Sequence, residues 1–356
     1  MAQAWDALAH AGSLSPTADA IWYRSALTAF GELRDELAIH CLYDRGELAA
    51  VVPLRRSGRL VLSWASVFNV HWPFWTMAID RSRGGAICEV LDHLLEGAIC
   101  IELILAHSQE FPCQALIAAA KSRGCAVALD GDDGDLYIPL SSDPERTWSA
   151  IPSKMRRETR RKARQLEQRG ALEYERVAGG PHLQDELEEC FRLERLGWKG
   201  KTGSPIAADP QTHRFYSMLA CESAAAGRFA LDLLRLDGRM IAYEISIRGQ
   251  GRIDMLKPSF DPAYARYSPG NVLRLKILAC ESELGEVHTY HLGRPSEWKR
   301  HWVRNTRPLC RVRIYRPGWL GFGAYLVGPW VRGTAKHVSE SLGLRQRAGA
   351  QQVGGE

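Results

Sequence analysis

The sequence of 356 residues has nine cysteines but no pair in a CxxC spacing. They stand at 41, 88, 100, 113, 125, 190, 221, 280 and 310, mostly inside apolar runs such as the one around Cys100. This pattern excludes a zinc ribbon built on paired thiols and argues against a disulfide frame. Reduced, buried thiols in a cytoplasmic protein are the expectation, with no metal site. No GxGxxG, Walker, HExxH or GxSxG motif occurs, so the usual nucleotide-binding, zinc-protease and serine-hydrolase signatures are absent. His71 sits among aromatics in NVHWPFWTM and reads as a core or pocket-wall group rather than a metal ligand. The N-terminus has no charged segment followed by an apolar stretch, which predicts no secretory signal. No continuous apolar run approaches the ~20 residues that cross a bilayer. Pro317–Val331, PGWLGFGAYLVGPWV, is uncharged but is broken by Gly and Pro. It reads as a buried cap or as an element lying on a membrane surface.

What is present is an average globular composition, 46% hydrophobic and 24% charged, with a net charge of +5. One segment accounts for more than that excess. From Lys154 to Arg169 the chain carries Lys154, Arg156, Arg157, Arg160, Arg161, Lys162, Arg164 and Arg169 against only Glu158 and Glu167. The remainder is nearly neutral, which argues against a whole-surface nucleic-acid binder. Within the run, Met155, Thr159, Ala163 and Leu166 form a narrow helical stripe, with Pro152 and Ser153 at its start and Gly170 at its end. A helix with one buried stripe and a basic outer face is predicted.

The rest of the chain reads as one arrangement written twice. A helix is expected at 20–30, with Trp22, Ala26 and Phe30 on one side. Strands linked by Asp-Arg-Gly and Ser-Gly turns follow over 37–64, then a helix near 85–95, Gly97 and the strand ICIELILA. A further helix at 112–122, a polar loop DGDDGD at 130–135 and the strand LYIPL complete the first half. Over 229–260 the order recurs: strand, Asp-Gly turn, strand, Gly-Gln-Gly turn, strand, then a helix at 271–284, Gly285 and the strand VHTYHL. A period of about 190 residues means two copies of one domain rather than a solenoid. A helix after the third strand implies a parallel neighbour in a mixed sheet, which can splay where the two kinds of pairing meet.

The most informative loop is DPAYARYSPGNVLRLKIL at 261–278. It leaves a strand, contains Pro269-Gly270 and opens a helix at Asn271, an arrangement that suits a pyrophosphate as well as a plain turn. Glu244 lies on an apolar strand, MIAYEISI, beside Ala242 and Ser246, so it is either functional or held by an ion pair with Arg248 or Arg252. Asp254 is a second carboxylate, on the adjoining strand. His291 ends the last strand next to Gly293, where it either accepts a proton or is a hydrogen-bonded core group.

Four segments in order resemble a GNAT-type acyltransferase subfamily similar to the tandem-GNAT, Fem-type proteins and associated with cellulose and other envelope biosynthesis. These are IPSKMRRETRRKARQLEQRG, LERLGWKGKTGS, DPAYARYSPGNVL and YHLGRPSEWKRHWV. The likeness covers most of 150–305 and the first half only in outline. It implies an α/β fold of two tandem GNAT-like domains, each a mixed, mostly antiparallel sheet flanked by helices. The expected division is a degenerate N-terminal domain at 1–150, an acyl-CoA-binding domain at 151–310 with the inter-domain basic helix at 153–170, a strand and apolar cap at 311–340, and a flexible tail at 341–356.

By the same resemblance Arg266, Tyr267, Ser268, Gly270, Asn271 and Lys299 are expected at acyl-CoA, and Trp198, Lys199 and Trp298 at the acceptor. Glu244, His291 and Asp254 are the candidate bases, and Tyr264 a candidate acid for the departing thiolate. Many relatives carry Asp where His291 stands and Tyr where Trp298 stands, which bears on the base and the acceptor. Direct transfer from a thioester needs a neutral amine and a polarised carbonyl but no tightly bound cofactor. The implied activity is acyl transfer to an amine of an envelope component, a lipid or sphingoid amine or an amino sugar, in the cytoplasm with peripheral contact at the inner membrane. Bacterial ceramide-forming acyltransferases resemble the same group. An aminoacyl-tRNA donor, as in Fem-type proteins, and a non-catalytic adaptor of an envelope polysaccharide synthase are the alternatives.

Overall fold

A computed structural model describes residues 1–12, 15–31, 36–57, 63–65, 74–83, 85–196 and 206–327. The chain packs as two compact units that are not successive in sequence. One comprises Met1–Asp35, Leu136–Gly293 and His301–Asn305; the other comprises Glu36–Asp135, Arg294–Arg300 and the chain from Thr306 onward. This division differs from one at residues 150 and 310 because of specific packing. Helices α1 (Ala2–Gly12) and α2 (Ala20–Ala29) pack within the first of these units, where Trp22 and Phe30 both meet Phe215, each at a ring separation of 5.4 Å. The buried pair Asp19–Arg228 ties them there.

In the unit built from Glu36–Asp135 the strands are β1 (Leu37–Asp44), β2 (Glu47–Ser57), β3 (Ser63–Ala65), β4 (Ala78–Ile79), β5 (Cys100–His107), the start of β6 (Ala126–Pro139) and β12 (Thr306–Tyr315). Their order is β1-β2-β3-β5-β12-β6, with β4 on β2. Helices α3 (Ala86–Glu96) and α4 (Phe111–Ser122) cover a core that includes Leu54, Leu91, Leu94, Ile101, Leu116 and Val312. The acid-rich 130–135 is not a loop but part of β6. Its neighbour β12 is rich in arginine, and Arg313 donates to Asp130 at 2.5 Å, so acids that favour turns are held in a ladder.

The other unit holds α5 (Pro144–Ser149), α6 (Ser153–Glu167), β7 (Leu172–Val177), α7 (Leu183–Leu196), α8 (Pro210–Ala225), β8 (Phe229–Leu236), β9 (Arg239–Gly249), β10 (Arg252–Phe260), α9 (Pro269–Leu284) and β11 (Thr289–Gly293). Its strand order is β6-β11-β10-β9-β8-β7, where β6 contributes its last four residues. Among the described strands of this unit only β10 and β11 pair in parallel. Neighbours on β9 point to opposite faces: Glu244 meets α9, whereas Tyr243 lies near Cys190 of α7 and Tyr216 of α8. On α6 the stripe residues Thr159, Ala163 and Leu166 are buried, while Arg157, Arg160, Arg161 and Arg164 are exposed. Among the described residues no helix is long and apolar enough to cross a membrane.

Three of the expected Gly-containing turns form, and the Ser57-Gly58 turn lies outside the described residues. Arg45-Gly46, Asp237-Gly238 and Gln250-Gly251 each have two positive φ values, the geometry that matches strand twist in a tight hairpin. Gly251 does more than turn the chain. Its carbonyl accepts from His288 N at 2.6 Å and Thr289 N at 3.2 Å, which starts the parallel ladder, and a Cβ there would lie 2.9 Å from the His288 ring. Gly251→Ala is therefore expected to lose roughly 1–2 kcal/mol from the left-handed backbone alone, with more from the contact. The urea midpoint of the full chain measures the loss.

Candidate functional site

The parallel pairing of β10 with β11 is short. It runs through Arg252–Thr289, Ile253–Tyr290 and Asp254–His291, and there it stops, although β10 continues to Phe260 beside β9. A register shift between Met255 and Lys257 sits at the same point and bends β10 away. The sheet forks just beyond Asp254 and His291. After the fork the chain passes through a short 3-10 turn at Pro262–Tyr267 and enters α9 at Pro269.

The fork carries two of the candidate bases as register partners. Asp254 and His291 lie side by side on adjacent strands and on one face. Asp254 is held by Arg252, whose Nε donates at 2.9 Å to both carboxylate oxygens and whose Nη2 donates at 2.6 Å. This is a two-pronged grip that fixes the carboxylate plane. The His291 Nε2 lies 3.2 Å from Thr289 Oγ1, and its ring stacks on Tyr137 at 5.6 Å. Both side chains are buried.

Glu244 is placed differently. It is buried on the face under α9, Arg274 Nη2 donates to one of its oxygens at 2.7 Å, and the Tyr290 hydroxyl donates to the other. Burial raises its carboxyl above the usual range, while the Arg274 charge and the Tyr290 hydrogen bond pull it back. Burial and the Glu244 charge push the Tyr290 phenol well up. The expected partners were Arg248 or Arg252. In the structure Arg248 bonds Glu281 and Glu286, and Arg252 grips Asp254. Both oxygens of Glu244 are thus engaged within the core, on the face under α9.

At the start of α9, Ser268 adopts a left-handed conformation at φ 48° and makes no side-chain cap. Its hydroxyl instead accepts from Lys162 Nζ of α6 at 2.7 Å. The guanidinium groups of Arg169 and Arg266 lie over the buried Tyr267 ring, at 5.1 Å and 4.7 Å. Three cations therefore gather where the dipole of a 16-residue helix is positive. A Cβ on Gly270 would meet only the Phe260 ring, at 3.8 Å. Asn271 accepts from Trp302 Nε1 through its side chain, 3.1 Å apart, so that side chain braces the helix start. Tyr264 is half-buried in the 3-10 turn.

Of the remaining expected residues, Trp298 and Lys299 belong to the other compact unit, in the short helix α10 (Glu297–Arg300), where Lys299 donates to Arg294 O at 3.0 Å. Trp198, Lys199 and His71 lie outside the described residues. Sequence reasoning gave no place at the site to Lys162, Arg274 or Trp302, and offered Arg252 to Glu244 rather than to Asp254. A signal existed for Arg274: it shares the buried stripe of α9 with Leu273, Ile277 and Leu278, so a charge there needs a partner.

Residues 153–300 match the model of the acetyltransferase (GNAT) domain family. No curated protein matches the chain at a significant level. Among solved structures the chain is similar to FemX, with a TM-score of 0.62 at 12% identity over 92% of this chain and 98% of that one. It is also similar to the C-terminal domain of a putative lysylphosphatidylglycerol synthetase from Agrobacterium fabrum, at 0.50 and 14% over 83% and 92%. L-PGS from Bacillus licheniformis gives 0.50 and 13% over 85% and 91%. At these identities the likeness is one of fold.

The Glu244–Arg274 pair yields a direct test. Arg274→Met leaves a buried carboxylate without its cation and is expected to cost about 3–5 kcal/mol. The double variant Glu244→Met with Arg274→Met is expected to be less destabilised than Arg274→Met alone. Urea unfolding of the two single variants and the double closes the cycle.

Proposed function

We propose, from the GNAT acetyltransferase domain that residues 153–300 of this chain form, that the protein is an acyl-CoA-dependent N-acyltransferase. The acceptor is an amine of a cell-envelope component, either a lipid amine or an amino sugar. The observation that carries this reading is the fork: a carboxylate and an imidazole in register at the point where the strands part, directly ahead of a cation-rich helix start.

Each part has a chemical task on this reading. The first turn of α9, with Gly270 leaving room and Lys162 and Arg266 supplying charge, receives the donor pyrophosphate. The acyl-pantetheine arm runs into the fork, where β10 has left its parallel neighbour and its peptide groups are open to a ligand. His291 takes the proton that the amine gives up as its nitrogen bonds the thioester carbonyl carbon. The C–S bond then breaks, and CoA departs as a thiolate that recovers a proton from Tyr264 or solvent. Asp254, its carboxylate plane fixed by Arg252, stands in register beside the imidazole and helps to set where the ring lies. Trp198, Lys199 and Trp298 remain the proposed acceptor contacts, and Lys299 and Asn271 the proposed outer contacts of the donor.

A second reading replaces acyl-CoA by an aminoacyl-tRNA. The exposed arginines of α6 favour it, since a basic helix face suits a phosphate backbone. Steep salt-dependent tRNA binding, with no calorimetric signal from acetyl-CoA or a long-chain acyl-CoA, would replace the first reading by the second.

For the first reading, calorimetry is expected to detect binding of an acyl-CoA, and Gly270→Trp to weaken it more than tenfold by filling the helix start. Intact-mass detection of acyl transfer across a panel of amines identifies the acceptor. His291→Gln is then expected to lower turnover by about 10²–10⁴ with little change in donor affinity. Unchanged turnover in that variant would remove His291 as the base.

A further inference from the structure

The transferase reading leaves unused one feature of the unit that contains β12. Residues 319–327 form a helix directly after that strand, and its outer side is apolar. Trp319 is 81% exposed, Leu320 49%, Phe322 57%, Leu326 53% and Val327 55%. At 100° per residue these five side chains, with Gly323 among them, occupy one arc of about 160°. That arc contains no polar side chain. Apolar residues of this size standing together in water are a binding surface rather than scattered exposure.

The helix is held firmly enough to present that arc. Tyr325, on its inner side, packs edge-on against Tyr315 of β12 at 5.6 Å. A Cβ on Gly321 would fall 1.8 Å from the Arg316 carbonyl oxygen, so only glycine lets the helix start this close to the strand end. Phe322 leans on Tyr325 at 6.3 Å and is oriented by it.

The charge of the sequence on either side of the helix indicates what covers the arc. From Trp298 to Ser339 the sequence carries Lys299, Arg300, Arg304, Arg307, Arg311, Arg313, Arg316, Arg332 and Lys336, and no Asp or Glu. Arg313 and Arg307 are spent on acids of their own unit, whereas Arg300 and Arg316 are exposed. Asp92 and Glu96 line a cavity of about 260 Å³ with Arg316 and Pro317, and Asp92 is paired with Arg123. A second copy of the chain would have to bury these cations against one another. A surface that is apolar inside and anionic at its rim accepts both features at once.

We infer that residues 319–327 are a lipid-docking helix. It lies in the interface of an anionic bilayer with Trp319, Leu320, Phe322, Leu326 and Val327 among the acyl chains and the exposed Arg316, just ahead of the helix, at the headgroups. Tryptophan is suited to that depth because its ring is apolar and its N–H finds a polar partner there.

The test is flotation of the full chain with vesicles, in the absence of any acyl donor. The chain is expected to float with phosphatidylcholine vesicles containing phosphatidylglycerol. Binding should be weaker with phosphatidylcholine alone and should fall as salt is raised. The variant Phe322→Glu with Leu326→Glu is expected to bind at least about tenfold less, with an unchanged circular-dichroism spectrum, because both side chains face solvent. Two results would overturn the inference. One is a wild-type chain that stays unbound, or a variant that binds equally well. The other is a wild-type dimer in light scattering that the same variant converts to a monomer, which would assign the arc to a second copy. Neither outcome depends on transfer activity, so failure here is separable from failure of the transferase reading.

Discussion

Arg274 and Glu281 project from one side of α9 into the core, two turns apart, and the charges they meet there hold the helix in place. Arg274 meets Glu244 of β9, with the Tyr290 hydroxyl of β11 on the same carboxylate. Glu281 meets Arg176 of β7 and Arg248 of β9. Arg176 in turn bonds Asp232 of β8, which also accepts from the Tyr174 hydroxyl at 2.7 Å. Four strands thus share one buried network beneath one helix. Buried pairs of this kind add little net stability, since desolvation offsets most of their attraction. What they supply is register. A helix displaced by one turn would leave several charges buried without partners, and each would cost several kcal/mol.

Fixing α9 fixes the place where a donor would bind. The helix start stands at Ser268 and Pro269 because Arg274 and Glu281, six and thirteen positions on from Ser268, are held by their partners. Lys162 reaches Ser268 from a helix that packs beside α9 through Thr159, Ala163 and Leu166, so its charge is positioned from a separate element. The fork is fixed from the other end. Gly251 sets where the parallel ladder begins, and the shift between Met255 and Lys257 sets where β10 departs. A three-residue ladder between those two points leaves only Asp254 and His291 at its open end.

Much of this was legible in the sequence, for reasons that differ by element. The hairpin turns were readable because two consecutive positive φ values need glycine and a residue that tolerates the left-handed region. The basic helix was readable because its stripe has a helical period and its ends carry breakers. The strand through 130–135 was not, because acids and glycines signal a loop until the arginines of β12, some 180 residues away, are known to lie alongside. The place of α1 and α2 was hidden for a similar reason: nothing local to Trp22 or Asp19 names Phe215 or Arg228 as a partner. Glu244 shows the limit of strand-level reasoning. Alternation placed it on the correct face, but its partner Arg274 comes from a helix that nothing on the strand names.

Both units contain a parallel pairing, and the side chains beside the two differ. In the unit containing Glu36–Asp135, the described residues of β3 pair in parallel with β5 at Ser63–Cys100, Trp64–Ile101 and Ala65–Glu102. Trp64 is buried, donates to Leu94 O at 3.2 Å, and is enclosed by His40 and by the Arg56 guanidinium. Glu102 is taken up by Arg313. There the Glu102 carboxylate is tied to arginine and the indole is bonded to a backbone carbonyl. The β10–β11 pairing instead sets Asp254 and His291 side by side, within the part of the chain that matches the acetyltransferase domain. An imidazole in register with a carboxylate is a pair suited to moving a proton, and the described residues of the β3–β5 pairing hold no such pair in register.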